Sequence, residues 1–336
     1  MTTTTGRTAG ERIRKLAAAA LTAAALGCSA LAAHAQTDNR AYGGFGPEGQ
    51  RLREQFWVVP GADPEVPLRA TMFRPADAAP LPGGRVPVAT GAPARRPLVI
   101  INHGTDESTR QAVSMPVFYW LSRWFVERGY AVVLPQRRGH GATGGPLAEG
   151  GDFCRDPQHA RAGKSAAADI AAVLAFMREQ PFVDPDDITV VGISTGGWAS
   201  LALAARNPAG LRRVVNFAGG RGGHAYGQRG KVCDSARLVA AAGHFGATAR
   251  VPTLWLYSSN DSFFGPDLAT DMAGAFQAAG GRATLQILPA YGSDGHGLAD
   301  DKAGWQLWGS TLERFLADEG EALVSSAPAG RSRAGL

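Results

Sequence analysis

The sequence predicts an α/β fold in which helices cover both faces of a mostly parallel central sheet. Three observations carry that expectation. Short, unbroken apolar runs of strand length stand at 98–101, 130–134, 188–193, 211–217, 253–257 and 284–288. Strands buried on both faces read this way, whereas a strand with one wet face alternates. Helix-length stretches lie between or after them, at 117–128, 165–180, 196–206, 268–279 and 305–316, and three end at Gly129, Pro181 and Pro208. Strand and helix in alternation require crossover connections, which are right-handed in a parallel sheet. The chain has 336 residues, 45% hydrophobic and 19% charged, enough for one large core.

Before the first helix-and-strand alternation the chain reads differently. Arg7, Arg12, Arg14 and Lys15 precede an Ala/Leu-rich stretch at 16–33 that closes on Ala33-His34-Ala35. A basic start, an apolar middle and a small-x-small end mark an export signal, so residues 1–35 are expected to be removed. A retained membrane anchor, or a lipoprotein modified at Cys28, are the weaker readings of this segment. Residues 36–96 are expected to form a lead-in to the same domain, with early strands at Gln55–Val59 and Leu68–Phe73 and a Pro/Gly/Ala-rich surface connection at 75–96. The catalytic core is expected at 97–318 and a small, polar, disordered tail at 319–336.

Composition excludes several classes. The net charge of +5 resides partly in the signal segment, and no basic run, RNA-binding motif or zinc-spaced Cys/His set is present, so neither nucleic acid nor a metal is expected. No stable membrane insertion is expected once the signal is cleaved. Cys154 and Cys233 remain in the mature chain, and an even pair in an exported protein suggests a disulfide, two free thiols being the alternative.

The strongest motif is Gly192-Ile193-Ser194-Thr195-Gly196, a G-x-S-x-G pentapeptide. A buried strand runs into it and a small-residue helix runs out. Such a turn exposes Ser194 Oγ at a helix N-terminus, where free N–H groups favour negative charge. A hydroxyl is a weak nucleophile and needs a general base, with a third group to orient that base. His296 follows the last strand within a glycine-flanked loop. Asp261 follows the strand at 253–257. Asp267 and Asp271 fall in or beside the next helix, and Asp294 is too close to His296 in sequence to orient its ring. The oxyanion donors are expected to be the N–H of Thr195 and an N–H of the loop after 98–101, assigned to Thr105 with Gly104 or Asp106 within one residue. Trp198 is expected to pack in the core.

The stretch 97–316 resembles the α/β-hydrolase fold, and within it the dienelactone-hydrolase-like branch and the catalytic domain of prolyl-oligopeptidase-like proteins. His103-Gly104, Arg138-Gly139-His140-Gly141, Gly192-Ile193-Ser194-Thr195-Gly196-Gly197, Asp261 and His296 carry the resemblance. It implies a Ser-Asp-His hydrolase without a cofactor, acting on a small ester or peptide-like substrate. Dienelactone hydrolases use a cysteine where this chain has Ser194, and the residues before Pro97 are too few for the propeller of the oligopeptidases. The resulting expectation is an exported carboxylic-ester hydrolase, with a serine peptidase as the alternative and a non-catalytic binding protein as the remote one. Two stretches are expected to shape its pocket: the loop 136–164 and a small lid insertion at 218–250, which a Cys154–Cys233 bridge would join.

Overall fold

A computed structural model describes residues 42–87, 94–105, 109–112, 114–150 and 154–317. The expected signal segment and the tail from 319 lie outside the described residues. Among the described residues nine strands form one sheet: β1 (Gly43–Phe45), β2 (Gln55–Val59), β3 (Leu68–Phe73), β4 (Arg96–Asn102), β5 (Ala131–Gln136), β6 (Val183–Ile193), β7 (Leu211–Phe217), β8 (Thr253–Ser258) and β9 (Ala283–Leu288). Their order is β1-β2-β3-β5-β4-β6-β7-β8-β9. The first three strands and β5 pair antiparallel, and every pair from β5 to β9 is parallel.

Among the described residues six α-helices accompany the sheet: α1 (Tyr119–Val126), α2 (His159–Arg178), α3 (Thr195–Ala204), α4 (Ser235–Gly246), α5 (Pro266–Ala278) and α6 (Trp305–Ala317). The alternation along β4 shows how the layers divide. Leu98 and Ile100 point into a core shared with α2, α3, α4 and α5, where Ile170, Trp198, Phe245 and Phe276 are buried. Val99 and Ile101 point the other way, into a second core with Trp124 of α1 and Trp308 of α6. Both faces of the strand are dry, which is why its sequence shows no alternation.

The sequence reading needs three adjustments. The 218–250 insertion is loop only in its first half. Its second half is α4, whose Leu238, Ala242 and Phe245 are fully buried. Helix α2 begins at His159 rather than 165, shortening the preceding loop. Strand β1 was not expected, because Gly43 and Gly44 are poor strand formers.

The topology selects one place for a ligand. From β4 the chain crosses through α1 to β5 on one side, and through α2 to β6 on the other side of β4. Where the winding direction reverses in an open α/β sheet, the carboxyl ends of the adjacent strands leave a crevice that no connection fills. Here those ends are Asn102, which runs into His103-Gly104-Thr105, and Ile193, which runs into Ser194.

Candidate active site

Ser194 occupies a tight turn between β6 and α3 with φ +56° and ψ −125°. L-residues avoid that region at a cost of about 1–3 kcal/mol, and it persists where surrounding contacts determine it. Here the Ser194 N–H donates to the Phe217 carbonyl at 3.0 Å, and its own carbonyl accepts from Trp198 N–H at 3.0 Å and Gly220 N–H at 3.2 Å. The flanking glycines are dictated by space. A Cβ on Gly192 would stand 2.2 Å from the Gly196 carbonyl oxygen, and one on Gly196 would stand 2.2 Å from that of Asn102. Trp198 is buried against Phe245 and donates to the His159 carbonyl at 2.8 Å, as a core residue does.

His296 and Asp261 come together from loops at the ends of β9 and β8. The imidazole Nδ1 is 3.1 Å from both Asp261 carboxylate oxygens. Asp261 Oδ1 also accepts the N–H groups of Phe263 at 2.8 Å and Phe264 at 3.0 Å. A carboxylate with donors around it can only accept, so Nδ1 carries the ring proton and Nε2 is left with its lone pair free to accept one. The ring stacks on Phe263 at a centroid distance of 4.2 Å. Asp267 lies in the first turn of α5, and Asp271 lies further along that helix. Asp294 does not touch the imidazole. Its Oδ1 accepts the backbone N–H of His296 at 3.2 Å.

Across the crevice, Thr105 sits beside Thr195, with their hydroxyl oxygens 3.0 Å apart. Beneath them lies a cluster whose Arg137–Glu149 pair the sequence reading missed. Arg137 and Glu149 form an ion pair at 2.6 Å with side chains 0% and 3% exposed. Arg137 also donates to the His103 carbonyl at 2.6 Å and to Thr105 Oγ1 at 3.2 Å. Thr105 Oγ1 is 3.1 Å from Glu149 Oε2 and 2.9 Å from His140 Nε2. His103 Nε2 accepts the Arg137 N–H at 3.0 Å, so Nδ1 carries the proton and donates to the Gly104 carbonyl at 2.7 Å. Burial, and then the neighbouring Arg137, hold the His103 imidazole well below the ordinary histidine range and lower that of His140. Both rings therefore stay neutral beside the buried cation. A Cβ on Gly104 would lie 3.1 Å from Ser194 Cβ, so this loop borders the serine directly. His103-Gly104, Thr105 and the motif Arg138-Gly139-His140-Gly141 pointed to this place, the motif beginning one residue after Arg137. Arg138 serves elsewhere, bonding Asp63 at 3.3 Å. The alternative oxyanion donor Asp106 lies outside the described residues.

Cys154 and Cys233 form a disulfide with Cα atoms 4.8 Å apart. It ties the loop before α2 to residues 218–234. Part of that segment, 223–232, folds back on itself through a bridge between Gly223 and Val232. Among the described residues no group of three or more metal-ligating side chains converges, and no helix is long and apolar enough to cross a membrane.

An open, mostly parallel sheet with a serine in a tight positive-φ turn at its switch point, and an Asp-paired histidine on the loop after its last strand, has the α/β-hydrolase fold. The chain belongs to the dienelactone hydrolase family, which matches residues 113–317. No curated protein matches it by sequence. Solved structures share the fold at low identity. An acetyl xylan esterase from Paenibacillus sp. R4 is 16% identical with a TM-score of 0.55, over 82% of this chain and 87% of that one. The acylaminoacyl peptidase of Pyrococcus horikoshii is 14% identical with a TM-score of 0.53, over 80% of this chain and 42% of that one. Dipeptidyl peptidase 4 of Porphyromonas gingivalis is 15% identical with a TM-score of 0.54, over 80% and 35%. This chain thus spans less than half the length of either peptidase.

Proposed function

We propose that the protein is an exported serine hydrolase that cleaves small carboxylic esters through an acyl-enzyme. Ser194 Oγ attacks the ester carbonyl while His296 Nε2 takes its proton. His296 then delivers that proton to the leaving alcohol, and in the second half-reaction activates the water that releases the acid. Asp261 holds the ring in the tautomer this requires. The N–H groups of Thr195 and Thr105 receive the oxyanion. The observation that carries the reading is the pairing of His296 Nδ1 with both Asp261 oxygens, in a chain whose Ser194 is held in a nucleophile-elbow conformation at the end of β6.

Peptide planarity supports the assignment of Thr105. The Gly104 carbonyl is held by the His103 ring, so the Thr105 N–H in the same planar unit points the opposite way. Export is supported by the disulfide, which persists in oxidising compartments. The peptidase alternative, to which the two peptidase neighbours lend their fold, requires an anionic group to receive a peptide amine. Glu149, an acidic side chain beside Thr105, is already engaged by Arg137 and Thr105. That favours the ester.

The test is labelling by a fluorophosphonate probe together with hydrolysis of p-nitrophenyl esters and of aminoacyl anilides. We expect the protein to label at Ser194 and to turn over the esters. Ser194→Ala should lose both, by at least about 10³-fold in kcat. An unlabelled protein, or a folded Ser194→Ala variant at the parental rate, would defeat the reading. Faster turnover of anilides than of esters would transfer it to the peptidases.

A further inference from the structure

We propose that Asp294 is a positioning residue for the triad, a carboxylate clamp that holds the histidine loop against the acid loop and anchors both to the 223–232 hairpin. The proposal rests on the serine-hydrolase reading above and adds a component that the reading does not use.

Asp294 lies between the two loops that must meet for a triad to exist. Its Oδ1 accepts the backbone N–H of His296 at 3.2 Å and that of Ser262, next to Asp261, at 3.1 Å. Its Oδ2 accepts the Ser262 hydroxyl and lies 3.1 Å from the Arg229 guanidinium. Two carboxylates therefore divide the work. Asp261 fixes the tilt and tautomer of the imidazole, and Asp294 fixes where the backbone of His296 stands relative to Asp261. Burial alone would raise the Asp294 carboxyl. The bonds from Ser262, the His296 N–H and Arg229 outweigh it and hold the group below the ordinary aspartate range, so it is charged wherever the enzyme works.

A second set of contacts leads from the same place to the hairpin. The Phe263 ring is sandwiched between His224, stacked at 3.5 Å and 14°, and His296, stacked at 4.2 Å and 27°. Since the Ser262 hydroxyl gives its hydrogen to Asp294, it accepts from His224 Nε2 at 2.8 Å, which makes a directed chain from His224 through Ser262 to Asp294. Gly230 N–H donates to the Ser262 carbonyl at 2.7 Å. There is no slack in the stack, because a Cβ on Gly223 would meet Phe263 at 2.9 Å. The hairpin thus grips the acid loop by backbone, hydroxyl and ring, and reaches His296 through Phe263 and Asp294.

A misplacement of about 1 Å in a catalytic group can cost about 10²-fold in rate, and a group that only positions changes kcat without changing substrate binding. Asp294→Ala should therefore lower kcat on p-nitrophenyl acetate, and the rate constant for fluorophosphonate labelling, by about 10- to 100-fold, with KM within about two-fold of the parent and an unchanged circular dichroism spectrum. Asp294→Asn keeps an Oδ1 acceptor for both N–H groups and loses the charge facing Arg229, so it should restore most of the rate, leaving kcat about 5-fold low. Arg229→Ala, at an exposed position, should cost about two- to three-fold. If Asp294→Ala does not fold, the Asn variant decides, and parental kcat in it overturns the proposal. A folded Asp294→Ala that labels at the parental rate also overturns it, as does a loss seen only in KM. If the parent itself does not label, the serine-hydrolase reading fails first, and that result is distinct from either.

Discussion

The two sides of Ser194 are built by opposite means. The side proposed to receive the oxyanion is dry. Its loop rests on Arg137 and Glu149, an ion pair with almost no exposure, and on two neutral histidines that burial keeps neutral. The histidine side is wetter, and His296 itself is 17% exposed. There the work is shared between Asp261, Asp294 and a stack of three rings. The difference follows from what each side does in the proposed mechanism. Oxyanion donors must stay still, and a buried, fully bonded network gives rigidity because any rearrangement would strand a charge in low dielectric. A base must exchange protons with substrate and water, so it cannot be sealed. It is held at its rear edge and along one face instead.

The sharpest way to break the histidine side is Asp261→Asn. The amide would present a donor to Nδ1 and favour the tautomer in which Nε2 is already protonated. We expect kcat to fall by about 10⁴-fold with the fold intact, measured on a p-nitrophenyl ester. Asp267→Asn and Asp271→Asn, in α5 and not among the bonding partners of His296, should retain near-parental rates. A large loss in either, with Asp261→Asn active, would reassign the acid.

On the oxyanion side the matching break is Glu149→Gln, which leaves a buried guanidinium without its counter-charge. Removing one partner of a buried pair costs about 3–5 kcal/mol, and replacing both by apolar residues is often neutral. Arg137→Met combined with Glu149→Leu should therefore regain most of the stability that Glu149→Gln loses, as read by urea unfolding. It should not regain kcat, because Thr105 would have lost two of its anchors. Equal kcat in the double variant and the parent would show that the pair serves stability alone.

One covalent link spans the two sides. Cys154 follows the Glu149 loop, Cys233 closes the hairpin that grips Ser262, and 79 residues separate them in sequence. Closing a loop of that length stabilises by about 4 kcal/mol in the chain-entropy account, and often by less in practice. Cys154→Ser with Cys233→Ser should lower the melting temperature, and should lower kcat only if the hairpin then releases the acid loop. An unchanged melting temperature would show that the bridge does not stabilise the fold.

Most of the fold was legible because its strands are buried on both faces. Runs such as 98–101 and 188–193 admit few other readings, and once the serine was placed at a strand end, chain order alone nominated Asp261 and His296. What was missed has physical reasons. Helix α4 carries its buried residues at 238, 241, 242 and 245, a plain helical period, yet the preceding glycines and Cys233 suggested a lid throughout. Arg137 was invisible because nothing in a sequence distinguishes a fully buried arginine from the half-buried one beside it. Asp294 was set aside because two residues are too few to reach the histidine ring. That holds, but two residues are the right span for a side chain to accept the histidine's own N–H.

The smallest expected effect tests the dryness of the oxyanion side by pH. His103, His140 and His159 all have imidazoles lowered from the ordinary value, chiefly by burial. In the unfolded chain each binds a proton near pH 6.5, whereas in the folded protein each resists doing so. Below that value the unfolded state holds more protons, so stability must fall as pH falls, beginning near 6.5 and continuing down to the depressed folded values. Each such histidine contributes a slope of about 1.4 kcal/mol per pH unit at most. The carboxylates held low by their partners, Asp77, Asp294 and Asp301, add nothing in this range, since their stabilisation is lost only at more acidic pH. His140→Gln offers Nε2 amide hydrogens to Thr105 Oγ1 and has no group to titrate, so it should flatten the slope between pH 6.5 and 5 by up to one proton's worth. A parental slope in that variant would mean that His140 is protonated in the folded protein, and that water reaches this side as freely as it reaches His296.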